Sequence, residues 1–70
     1  MDAYELRIRQ TIRNLMEEKK KSADEISATI PVSTATFYRR MSNPSEFTVY
    51  ELRKIARNLG TTVAEITAGR

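Results

Sequence analysis

Three times the chain sets a serine or threonine, two further residues and a glutamate directly in front of an apolar run: Ser22-Ala23-Asp24-Glu25, Thr48-Val49-Tyr50-Glu51 and Thr62-Val63-Ala64-Glu65. In such a capping box the hydroxyl accepts from the amide three residues on, while the carboxylate reaches back to the amide of the capping residue. One box is a common coincidence. Three, each followed by apolar residues at helical spacing, commit the chain to helices and set where they start. Behind the first, Ala23, Ile26 and Ile30 share a face. Behind the second, Val49, Leu52, Ile55, Ala56 and Leu59 form a continuous stripe that Gly60 ends. Behind the third, Val63 and Ile66 point inward.

Two more helices follow from periodicity. At 100° per residue Tyr4, Ile8, Ile12 and Leu15 fall on one face, with Met16 at its edge and Leu6 on the opposite side. Ser33 is a good N-cap for a helix that buries Phe37 and Met41 one turn apart. The expected helices span about 3–20, 22–29, 33–42, 48–59 and 62–68, an all-α, compact five-helix bundle forming one domain over residues 1–70. Pro31 ends the second helix by disfavouring helical backbone at Ile30. Its ring also holds its own φ negative, so the turn should lack a left-handed residue at that position. Asn43-Pro44-Ser45 ends the third helix and opens a loop. No strand pattern, internal repeat or low-complexity tract interrupts this order.

Composition removes most catalytic chemistry. There is no cysteine and no histidine, so thiolates and imidazoles are unavailable as nucleophile, base or metal ligand. Gly60 and Gly69 are the only glycines, which excludes a phosphate-cradling glycine loop. The neighbouring carboxylates Glu17-Glu18 and Asp24-Glu25 diverge on a helix and form no poised pair. The chain is therefore not expected to be an enzyme, and no catalytic residue, metal site, cofactor or small-molecule ligand is expected. No apolar run approaches the roughly 20 residues of a membrane span, and the N-terminus is acidic and amphipathic rather than signal-like. A cytoplasmic protein without a membrane partner is expected.

Charge is uneven. Residues 1–31 carry six basic and six acidic side chains, whereas residues 32–70 carry six basic and three acidic, which accounts for the net charge of +3. No acid occurs between Glu25 and Glu46. A surface that meets a polyanion must avoid carboxylates as well as offer cations. Within this window, a third helix that buries Phe37 and Met41 turns Arg39 straight outward, with Ala35 and Ser42 flanking it, Tyr38 bordering the same face and Arg40 on the shoulder nearer the core. Arginine pairs bidentately with guanine O6 and N7, and small methyl-bearing side chains contact the thymine methyl. The competing reading of Arg39 and Arg40 is a solvated helix end where cations favour the dipole; for Tyr38 it is a rim aromatic covering the core edge. Lys19-Lys20-Lys21, just before the second helix, reads either as a solvated helix end or as a phosphate contact.

The segments "IRNLMEEKKKSADEIS", "IPVSTATFYRRM" and "ELRKIARNLGTTVAEIT", with the spacing between them, resemble the phage-repressor and Cro-like, or Xre-like, helix-turn-helix superfamily over roughly Ile8 to Ala68. The resemblance implies a lambda-repressor-like DNA-binding domain. Its base-facing positions fall on Thr34, Ala35 and Arg39, with Ser33 at the cap and Tyr38 beside them. Its backbone-contacting positions fall around Ser22 and Ala23, at Ser42 and Asn43, and near the start of the fourth helix. Four residues depart from the family pattern: Ala23 stands where many members have glutamine, Lys21 replaces an apolar residue, Arg40 replaces tryptophan or leucine, and Pro31 stands where glycine is usual.

The combined expectation is sequence-specific binding of double-stranded DNA by a small phage- or mobile-element-type regulator. Thr34, Ala35, Tyr38 and Arg39 would meet bases; Lys20, Lys21, Ser22, Ala23, Ser33, Arg40, Ser42 and Asn43 would meet the backbone. A weak homodimer on DNA is expected, because one copy reads one half-site. The alternative is a protein-interaction module that keeps the fold without reading DNA, as an anti-repressor, antitoxin part or virion component, with Tyr4 and Leu6 facing a partner.

Overall fold

Every α-helix start in the computed structural model, which describes residues 2–68, is closed by the side chain of the residue before it. The Asp2 carboxylate opens α1 (Ala3–Lys19) by accepting from the Glu5 N–H at 2.8 Å. Ser22 and Glu25 form a complete box at α2 (Ala23–Thr29), at 3.2 and 3.1 Å. Ser33 caps α3 (Thr34–Ser42), accepting from the Thr36 amide at 3.1 Å. Thr48 and Glu51 form the second complete box at α4 (Val49–Leu59), at 3.1 and 2.9 Å. At α5 (Val63–Ala68) the expected third box is only half made: Thr62 accepts from the Glu65 amide, but the Glu65 carboxylate accepts instead from the neighbouring Thr61 hydroxyl at 2.8 Å. The all-α five-helix expectation holds, with bounds within about one residue because capping residues stand just outside the helix. No strand is present among the described residues.

Three helix ends close in one way. An amide just past the helix reaches back five residues to a carbonyl of the last turn: Lys21 N–H to Met16 at 2.8 Å, Val32 N–H to Ser27 at 3.0 Å, and Thr61 N–H to Ala56 at 2.9 Å. The residue before that amide ordinarily takes left-handed backbone. Gly60 does so, with φ +69°. Lys20 does so too, with φ +56°, although a side chain there costs about 1 kcal/mol. Pro31 does not, in accord with the sequence expectation. Ile30 instead leaves the helical region at φ −99° and ψ 18°, and the missing Pro31 N–H removes only the second bond of the motif.

The core gathers Ile8 and Ile12 of α1, Ile26 and Ile30 around α2, Phe37 and Met41 of α3, Leu52, Ile55, Ala56 and Leu59 of α4, and Ile66 of α5. The α1 helix lies chiefly along α5, and α2 packs on both α3 and α4. Two sequence expectations fail at helix starts. Tyr4 is half exposed although it shares the face of Ile8 and Ile12, and it lies in the first turn of α1. Val49 is 61% exposed although it continues the α4 stripe, because it is the first helical residue, at the margin of that stripe.

The segment between α3 and α4 is more than a loop. Pro44–Glu46 forms a single 3-10 turn, and Pro44 and Phe47 plug it into the core. The Phe47 ring lies 6.3 Å from that of Phe37, tilted at 59°. This turn fixes where the C-terminal end of α3 projects.

Candidate nucleic-acid interface

The exposed face of α3 follows from its anchors. Phe37 is 1% and Met41 7% exposed, and with these two inside, helical geometry turns Ala35, Tyr38, Arg39 and Ser42 to solvent. All four are exposed, as is Asn43 just beyond the helix. Tyr38 is steadied by an edge contact with the Phe37 ring at 6.1 Å. At the helix start the Ser33 hydroxyl accepts from the Thr36 amide and donates to the Thr36 hydroxyl at 2.9 Å, so its capacity is largely used.

Two acids frame this face. The Thr34 hydroxyl donates to Asp24 Oδ1 at 2.7 Å, beside the buried Ser27, so Thr34 ties α3 to the start of α2. At the other end, Glu46 accepts from Asn43 Nδ2 at 2.9 Å and lies 3.8 Å from Arg39 Nε. The window without acids, from Glu25 to Glu46 in sequence, is thus bordered in space by carboxylates at both ends of α3. The Arg39 side chain stays 66% exposed, and an ion pair this open and this long is worth only about 0–1 kcal/mol. Its guanidinium can leave Glu46 at little cost.

Arg40, expected at the phosphate backbone, turns inward, and its Nη1 pairs with Glu51 Oε2. Its side chain is only 20% exposed. The cause is the second capping box: Glu51 must sit at the start of α4 to hold the Thr48 amide, and its other oxygen then faces α3. Arg40 therefore joins α3 to α4.

On the other flank, Lys20 is exposed and Lys21 half-buried. Ser22 spends its amide and its acceptor oxygen on the box, leaving its hydroxyl hydrogen to donate. The Ala23 side chain is buried, so it offers the surface only backbone. One basic strip escaped sequence reasoning: Tyr50, Arg53, Lys54 and Arg57 line one side of α4, with Lys54 Nζ 5.4 Å from the Tyr50 ring centre. Their i, i+3, i+4, i+7 spacing was the available signal. Among the described residues no cluster of acids can hold a metal ion, and no helix is long and apolar enough to cross a membrane.

Comparison of the chain with protein-family models, with curated proteins and with solved structures found no match.

Proposed function

We propose that the chain binds double-stranded DNA as a small transcriptional regulator, with α2 and α3 acting as a helix-turn-helix and α3 entering the major groove. The observation that carries the reading is Arg39: an outward guanidinium on a helix anchored by Phe37 and Met41, held only by an exposed contact with Glu46. A helix about 10–12 Å across fits a groove about 12 Å wide. Arg39 then pairs with a guanine edge, Ala35 meets a thymine methyl, and Tyr38 and Thr34 border the same base pairs. Lys20, Lys21 and Ser22 meet one phosphate strand; Ser42 and Asn43 meet the other.

The domain is 26 Å in its longest dimension, less than the roughly 34 Å helical repeat of DNA, so one copy covers one half-site. A second copy on an inverted repeat raises affinity. The decisive experiment is selection of bound sites from a random duplex library at low salt, followed by a salt titration of the best site. Enriched sites with inverted symmetry and a falling affinity with salt support the proposal.

One observation favours the interaction-module reading: Asp24 and Glu46 stand at both ends of α3 and oppose approaching phosphates. Under that reading the chain shows no retention on heparin and no duplex binding even at low salt.

A further inference from the structure

Between α1 and α3 lies a groove of about 410 Å³, lined by Arg9, Arg13, Met16 and Glu17 on one side and by Phe37, Tyr38, Met41 and Ser42 on the other. Its size falls within the range of small-molecule sites, about 300–1,000 Å³. Its middle is apolar and adaptable, with two methionine thioethers beside an aromatic ring. Its α1 wall begins with two guanidinium groups. Among the described residues, neither Arg9 nor Arg13 makes an ion pair.

We infer that this groove binds a small amphipathic carboxylate, an apolar body of about phenylalkyl size carrying one carboxylate that Arg9 and Arg13 receive. Charge complementarity selects that occupant. A carboxylate supplies a counter-charge that neither arginine has within the described residues, and planar guanidinium groups match carboxylate geometry. The apolar body lies over Met16 and Met41, with the Tyr38 ring at its edge. Glu17, also in the lining, lies one turn beyond Arg13 and two turns beyond Arg9, so it repels the acid from that end and directs it toward Arg9. Ser42 offers a hydroxyl at the far rim. Sequence reading pointed away from any small-molecule ligand, because the two walls come from helices far apart in the chain and neither is a motif alone. The site stands whether or not α3 reads DNA.

The test is titration of the full chain, labelled with nitrogen-15, with 4-phenylbutyrate, and in parallel with 4-phenylbutanol, which has the same body and no charge. Saturable amide shifts centred on Arg9, Arg13, Met16, Tyr38 and Met41 are expected, with the alcohol at least tenfold weaker. Arg9→Gln and Arg13→Gln should each weaken the acid at least threefold and leave the alcohol unchanged. Arg13 is exposed, so its variant keeps the fold even where Arg9→Gln does not. Absence of saturation at millimolar acid, shifts centred elsewhere, equal affinity for acid and alcohol, or an Arg13→Gln chain that binds the acid undiminished would each overturn the site.

Discussion

Replacing Arg40 by alanine distinguishes two accounts of the same side chain. As a phosphate contact it would matter to DNA and leave folding within about 0.5 kcal/mol, as surface substitutions do. In the structure it instead pairs with Glu51, and the two side chains are 20% and 9% exposed. Breaking a fully buried pair from one side costs about 3–5 kcal/mol, and breaking an exposed one about 0–1 kcal/mol. This pair lies nearer the buried limit, but Arg40 keeps a fifth of its side chain in solvent, so about 2–3 kcal/mol is expected. A chain of 70 residues has a net stability of roughly 3.5–10 kcal/mol, so the loss is a large fraction of the whole. At about 4–8 °C per kcal/mol, the melting temperature should fall by about 10–20 °C. Helical circular dichroism during thermal and urea unfolding measures this. Arg40→Met, which keeps the stem, combined with Glu51→Gln should recover part of the loss, with a coupling energy of about 1–2 kcal/mol in the double-mutant cycle. Because the pair is shielded, salt should change that coupling little. A stability change under about 0.5 kcal/mol together with zero coupling would refute the pairing and return Arg40 to the phosphate backbone.

Arg39→Ala should cost about 1–3 kcal/mol on the selected duplex and relax preference at one base pair, as a titration against single-base variants would record; equal loss on random duplex would remove it from the base edge. Lys20→Ala should weaken all duplexes alike and shallow the salt slope by about one unit. Lys20→Gly should do the same while stabilising the fold by about 0.5–1 kcal/mol, because glycine takes the φ of +56° without strain; urea unfolding that shows no gain would contradict the left-handed cap. Glu46→Gln removes a carboxylate beside Arg39 and should raise duplex affinity severalfold at low salt, a gain that shrinks as salt rises; an unchanged binding isotherm would place Glu46 outside the interface.

Local chemistry accounts for what was legible before the fold was seen. Helix starts at Ser22, Ser33 and Thr48 were readable because a cap is a contact between residues three apart, and such contacts are written in spacing. The outward direction of Arg39 was readable for the same reason, since Phe37 and Met41 set the rotation of their own helix. Misreadings fell where a local pattern met a non-local neighbour or the lack of one. Tyr4 and Val49 fit their stripes, yet each lies in the first turn of its helix and stays exposed. Thr61, one residue outside the third box, captured the glutamate assigned to it.

What the sequence determined by itself is the inventory: five helices, their starts and stops, the side of each that is apolar, and a third helix whose free face carries arginine and tyrosine. What only the tertiary structure decided is the company that face keeps. Asp24 and Glu46 are ten residues before Thr34 and seven after Arg39, and no periodicity relates them to α3; packing α2 and the Pro44 turn around it brings both carboxylates to its ends. The same packing takes Arg40 out of solvent and assembles the groove of Arg9, Met16 and Met41. Intervals of three and four along one helix are set by its pitch, whereas contacts between helices depend on how whole apolar faces dock, and that docking is a property of the core and not of any one segment.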